Sequence, residues 1–193
     1  KNKLKLNNQD SFENFFDHYL KKFQTKKKYN LKNIIFDLPR LKSNEGSEIL
    51  KHNHRVIFNH NVFEYQKEVL KRLKFIKPGE GLINVPKKYL NNHLLNMVNG
   101  KYGSGGFVKN IYGRLEWEKP CGTVVAGIRK ITCGRFVHPE DDRLLTVREC
   151  AKLQGLPNNY LFRGSFSDQY TLVGNAVPPE FAQVFAAPPV VGL

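Results

Sequence analysis

The sequence predicts an α+β chain: a small irregular β-sheet threaded with loops, flanked by helices and ending in a helix that needs a docking partner. Three observations predict it. Apolar residues recur at helical spacing in two stretches, between Phe12 and Phe23 and between Val62 and Ile76. Short runs rich in β-branched and aromatic residues (GRLEW, GTVVAGI, GRFVH) follow Tyr112, separated by Pro and Gly. A T-x-x-E capping box and a double proline then mark two helix starts near the C-terminus.

Taken in order, residues 10–24 read as an amphipathic helix, with Phe12, Phe15, Phe16, Tyr19, Leu20 and Phe23 on one stripe and Asp10 or Ser11 as cap. NIIFDLP reads as a short buried strand or turn ended by Pro39, and residues 41–60 as a polar loop. Val62, Tyr65, Val69, Leu73 and Ile76 predict a helix stopped by Pro78-Gly79. Residues 79–110, rich in Gly and Asn (GKYGSGG), read as loops. Thr146 and Glu149 form the capping box, Leu145 and Cys150 occupy its staple positions, and Gly155 can end that helix in the left-handed region. The last helix starts at Pro178-Pro179 and should bury Phe181, Val184 and Phe185.

Bulk properties narrow the partners. With 40% hydrophobic residues the 193-residue chain can bury a core, and no apolar run approaches the ~20 residues of a spanning helix. The net charge of +14, from 31 Lys+Arg against 17 Asp+Glu, makes a polyanion the leading partner and no membrane is expected. Three cysteines form no disulfide framework, which fits a reducing compartment. The start, KNKLKLNNQD, reads as a cut from a longer protein.

Two dense blocks carry a resemblance. RFVHPEDDRLLTVRECAKLQGLPNNYLF (135–162) resembles the ninth motif of DNA (cytosine-5)-methyltransferases, and LVGNAVPPEFAQVF (172–185) resembles their tenth. YGRLEWEKPCGTV resembles part of the family's target-recognition region, and NIIFDLPRL and FIKPGEGLINVP more faintly resemble its opening segments. The family's cofactor loop, Pro-Cys nucleophile loop, Glu-Asn-Val acid and Q-x-R-x-R strand do not appear. The resemblance therefore implies the C-terminal part of such an enzyme: an N-terminal helical segment (1–32), a target-recognition domain with the ninth motif (33–171), and a tenth-motif helix (172–193) docking on an absent Rossmann-like cofactor domain. It implies double-stranded DNA as substrate, S-adenosylmethionine as cofactor, and an N-terminal catalytic domain or partner chain carrying the nucleophile. By compartment it implies a prokaryotic cytoplasm, or a nucleus in a eukaryote.

Candidate residues follow from both sources. No catalytic residue is expected in this chain: Cys121, in the only Pro-Cys step, lies between Pro120 and Thr123 of the recognition stretch and has no activating neighbour in sequence. Glu13-Asn14-Phe15 sits inside a helical pattern and is read as structural. GKYGSGG lacks the strand and helix of a dinucleotide fingerprint; its glycines leave a phosphate-cradling role open, and its place in the resemblance implies a DNA-facing loop. His52, His54 and His60 assemble no ligand set of normal spacing, so no metal is expected. Lys26-Lys27-Lys28 reads as a solvated face. Arg143 with Asp141 and Asp142 could form a solvated charge cluster; the resemblance implies instead that Arg143 and Glu149 brace the recognition domain. Lys101, Lys109, Arg114, Thr123, Arg129 and Lys130 are the DNA-binding candidates by charge and place.

Asn175, with Ala176 and Val177, is the cofactor-binding candidate that the resemblance implies. A tight Gly-Asn turn before a proline-started helix would present amides suited to a carboxylate or small polar ligand, the alternative being an Asn that merely holds a left-handed turn. Three other readings of the whole remain at this point: a separate subunit of a two-chain methyltransferase, a tRNA-methylating relative, and a non-catalytic sequence-specific DNA-binding module.

Overall fold

A computed structural model describes Lys21, residues 29–101 and residues 106–186. The predicted helix over 10–24, Glu13-Asn14-Phe15 and the lysine run 26–28 lie outside the described residues, apart from Lys21. The chain divides into two units, Tyr29–Ala176 and one whose described part includes residues 177–186.

The first unit opens with helix α1 (Leu31–Ile35), where the sequence predicted a strand or turn. Asn30 caps it reciprocally with Asn33, and its first amides, those of Leu31 and Lys32, donate to the carbonyls of Lys119 and Trp117 at 3.0 and 3.1 Å. The EKP stretch thus caps a helix nearly ninety residues upstream in sequence, as the 88-residue separation of the Asn30–Glu118 bond shows.

Residues read as a polar loop form the sheet. Strands β1 (Gly46–His52) and β2 (Arg55–Asn61) pair antiparallel around the two-residue turn Asn53-His54, both with positive φ (+47° and +60°). Most of the hairpin is solvated, which explains its polar composition. Its base is buried: Asn59, at φ +54°, exchanges hydrogen bonds with the backbone of Phe162 and donates to Gln169, and His60 bridges Thr146 and Pro39.

Helix α2 (Lys67–Leu73) is shorter than predicted; Val62 and Tyr65 are buried ahead of it in extended chain. The region read as loop contains two 3₁₀ turns (Leu82–Asn84, Lys87–Tyr89), α3 (Asn92–Val98) and α4 (Gly106–Asn110). The β-rich stretches after Tyr112 do not form the expected sheet. Val137 alone bridges Arg114 and Leu144, and turns occupy most of 118–135. Side chains there take the place of ladder bonds: Arg135 donates to the carbonyls of Glu80, Arg114 and Lys109.

Helix α5 (Val147–Leu153) realises the capping box: Glu149 N donates to Thr146 Oγ1 at 3.2 Å and Thr146 N to Glu149 Oε2 at 2.7 Å. Gly155, at φ +70°, ends it in a Schellman motif, with Leu156 N on Ala151 O at 2.9 Å and Gly155 N on Lys152 O at 3.0 Å. Helix α6 (Phe166–Asn175) is an addition the sequence reading missed, although its Ser165–Asp168 capping box is legible. Leu31, Ile35, Leu73, Ile111, Ile128, Leu145 and Val173 are among the residues that form the core.

The second unit contributes α7 (Pro179–Ala186), which starts at the double proline as predicted. Within this chain Phe181 and Phe185 are 56% and 54% exposed, not buried as expected, and their rings lie 4.8 Å apart. Among the described residues no helix is long and apolar enough to cross a membrane.

Candidate functional site

Besides Arg72, which donates to Tyr89 O and the Tyr112 hydroxyl, three buried arginines brace the fold between Leu41 and Tyr160. Arg143 uses its five N–H groups on Leu41 O, Leu144 O, Asp141 Oδ2 and both oxygens of Glu149. Burial pushes the Glu149 carboxyl up, but the charge and hydrogen bonds of Arg143, with His138 and His60 nearby, outweigh it and hold the carboxyl down to about 2. Arg148 donates to the carbonyls of Phe58, Pro157 and Tyr160, tying α5 to β2 and the turn that follows.

Arg114 is the third, and it departs from its predicted place facing DNA. It is 4% exposed and donates to Ile76 O, Leu73 O, His138 O, Asp141 O and Asp142 Oδ1, which fills all its N–H groups. Its guanidinium therefore closes the fold between α2 and residues 138–142.

The other candidates point outward. Lys101, Lys109, Thr123, Arg129 and Lys130 are exposed. The segment that carries the last three is pinned by Ile111, Val124 and Ile128, all buried, and by the bond from Tyr112 N to Ile131 O at 2.9 Å. Cys121 is half-buried, and burial raises its thiol to about 11. Cys150 is buried and is pushed well above the usual thiol range by burial, with Glu149 and Cys121 adding to it. Neither is an activated thiolate.

Asn175 does not sit in a left-handed turn. Gly174 and Asn175 are the last residues of α6, and neither has a positive φ. The amides expected there are replaced by helix-end carbonyls. Gln154 caps them: its Nε2 donates to Val173 O at 2.8 Å and Ala176 O at 3.2 Å. Asn175 is exposed and Ala176 half-buried, beside a groove of about 460 Å³ lined by Leu156, Tyr160, Leu161, Phe162, Arg163 and Leu172. Val177, 59% exposed, opens the second unit. Gly174 packs directly on the backbone of Val125 and Ala126, where a Cβ would overlap both residues. Sequence reasoning missed Gln154 and Gly174 as positioning residues; only the LQG and LVGN blocks held a signal for them.

His60 is structural. Its Nε2 lies 2.8 Å from Pro39 O and so carries the proton, leaving Nδ1 to accept from the Thr146 hydroxyl at 2.9 Å. His52 and His54 are exposed on the hairpin turn.

Residues 2–188 match the profile of C-5 cytosine-specific DNA methylases, and the chain belongs to that family. The family takes its methyl group from S-adenosylmethionine. Among similar proteins, DNA (cytosine-5)-methyltransferase 3 of Arabidopsis thaliana is 32% identical over 165 residues, covering 79% of this chain and 12% of that protein. DNA (cytosine-5)-methyltransferase 1 of Mus musculus is 46% identical over 74 residues, 38% of this chain and 5% of its own length. Type II methyltransferase M.AgeI of Thalassovita gelatinovora is 46% identical over 83 residues, 43% of this chain and 19% of its own. The matched part is thus a small share of each relative.

Proposed function

We propose that this chain is the DNA-recognition and C-terminal portion of an S-adenosylmethionine-dependent DNA (cytosine-5)-methyltransferase, with the nucleophilic cysteine on sequence outside it. The observation that carries this reading is the packing of Gly174 on the backbone of Val125 and Ala126. It couples the exposed basic segment that would meet DNA to the helix end that would meet the cofactor. Burial, which raises the thiols of Cys121 and Cys150, supports a nucleophile elsewhere.

Lys101, Lys109, Arg129 and Lys130 would grip phosphates or read guanine edges, with Thr123 among them. Arg114, its donors filled inside the fold, braces instead. The target cytosine must leave the base stack before its ring carbons can be reached, so the chain's part is to hold the duplex around the extruded base rather than to transfer the methyl group. What fits the cofactor is one wall. Asn175 offers a side-chain amide, and Leu172 and Tyr160, 50% and 47% exposed, offer an apolar face. The carbonyl end of α6 favours a donor or cation at this wall over a carboxylate. S-adenosylmethionine, when bound, supplies the methyl group; a large N-terminal domain would form the opposite wall and cover α7.

Co-expression with a chain carrying the family's N-terminal motifs tests the reading. Methylation of duplex DNA should appear only with both chains, and should survive Cys121→Ser. Transfer by this chain alone, lost in Cys121→Ser, would overturn it. In the reconstituted enzyme, Asn175→Ala should weaken cofactor affinity about tenfold, the loss of one hydrogen bond in a polar site. Unchanged affinity and turnover would remove Asn175 from the cofactor wall.

A further inference from the structure

Arg148 differs from Arg143 and Arg114 in having no carboxylate partner, a lack it shares with Arg72, which at 9% exposure meets Tyr89 O and the Tyr112 hydroxyl. Arg143 is matched by Glu149 and Asp141, and Arg114 by Asp142. Arg148 is fully buried and meets only carbonyl oxygens; among the described residues no carboxylate lies within ion-pair distance of it. Its pKa is lowered by burial, with no compensating charge. A buried cation without a counter-charge is costly, and folded proteins normally supply the partner.

The place for that partner is visible. A cavity of about 250 Å³ lies between the hairpin, the chain after α1 and the start of α5, with Arg148 in its wall. Arg55, His52, Asn53 and Asn158 supply further donors around it, while Leu38, Val56 and Ile57 supply its apolar lining. The only carboxylate lining it is that of Asp37, which is already paired with Lys152. The charges left over are those of Arg55 and Arg148. At ~30 Å³ per water, the space holds a tetrahedral oxyanion with several waters.

We propose that this cavity is an oxyanion site, for a phosphate group, in which Arg55 and the side-chain amides of Asn53 and Asn158 make the contacts and Arg148 supplies the buried charge. A fork of arginine donors with converging amides suits the several acceptors of a phosphate better than the two of a carboxylate. The group could come from a nucleic-acid backbone or from free phosphate. The site stands apart from the methyl-transfer reading, because a free phosphate satisfies it whether or not the chain reads DNA.

The test is a titration of the ¹⁵N-labelled 193-residue chain with inorganic phosphate at constant ionic strength, read by backbone amide shifts. Saturable shifts are expected at Asn53, Arg55 and Asn158. Asn158→Asp and Arg55→Gln alter exposed side chains and leave the rest of the spectrum in place. Each should weaken phosphate binding at least about tenfold, the first by opposing charge and the second by losing one. Absence of a saturable response, an unchanged affinity in both variants, or an equal response to acetate would overturn the site. A short duplex that displaces phosphate from the same amides assigns the occupant to a nucleic-acid backbone. Phosphate shifts that persist at saturating duplex assign it to the free ion, and either result upholds the site.

Discussion

Glu149 is 1% exposed and still charged, because Arg143 surrounds it with two hydrogen bonds at 2.8 and 2.9 Å and the Thr146 amide adds a third. Removing one member of such a pair leaves the other charge buried alone. Glu149→Gln should therefore cost about 3–5 kcal/mol in unfolding free energy, measured by urea denaturation, whereas an exposed pair such as Lys119–Glu116 should give less than about 1 kcal/mol. His138 makes the neighbourhood sensitive to pH. Burial lowers it from 6.5 to about 4, and its Nδ1 accepts from the amides of Asp141 and Glu140 at 3.0 and 3.3 Å, a role only the neutral ring fills. The unfolded chain then binds this proton more readily than the folded one. The stability it contributes is whole above pH 6.5 and is lost as pH falls through 6.5 toward 4, a change of roughly 3 kcal/mol. His60, also lowered by burial, acts in the same direction. The urea midpoint should fall over that window, and His138→Gln, whose amide oxygen can accept the same bonds, should flatten the fall.

At the scale of elements, the join between α5 and α6 matters most. Gln154, just past α5, holds the carbonyls of Val173 and Ala176, and Gly174 lets α6 lie against Val125 and Ala126. Gly174→Ala should destabilise by about 1–3 kcal/mol through backbone overlap, and in a reconstituted enzyme it should impair both DNA and cofactor binding. Gln154→Leu should weaken cofactor affinity while leaving the affinity for duplex DNA unchanged, because it frees the helix end without touching the recognition segment. Such elements differ in how far the sequence reveals them. Helix α5 was legible because its determinants are local: Thr146, Glu149 and Gly155 act within their own turns. The hairpin was not, because its buried base is made of Asn59 and His60, polar residues whose partners Phe162, Gln169 and Thr146 are distant in sequence. The sheet expected after Tyr112 failed for the converse reason. Val124, Ile128 and Val137 pack into the core one by one, while Arg114 and Arg135 donate to the carbonyls of His138 and Arg114 within that stretch. Asn175 was legible as a site candidate, but its Gly-Asn step, a turn signal on its own, was overridden by the ten-residue α6 that ends in it.

For the molecule as a whole, the charge of +14 predicts duplex affinity but does not say which charges act. The structure separates them. Among the described residues arginines 72, 114, 143 and 148 are buried, so at least four of the 31 basic residues are withdrawn into the fold and release no counterions on binding. Lys101, Lys109, Arg129 and Lys130 remain exposed on the segments proposed to meet DNA. Affinity for a duplex should fall linearly in log–log form with salt, and each phosphate that is no longer neutralised should lower the slope by about 0.9. Alanine at Lys109, Arg129 and Lys130 together should thus reduce the slope by up to about 3 while leaving the urea midpoint within the small range of surface changes. Arg114→Gln should do the reverse: an unfolding cost of about 3 kcal/mol, from buried acceptors left unmatched, with the slope of the folded protein unchanged. Fluorescence anisotropy with a labelled duplex over a salt series reads both. A triple variant with the wild-type slope would move the DNA-facing surface away from residues 109–130, and a reduced slope in Arg114→Gln would mean that this guanidinium leaves its internal partners when DNA binds.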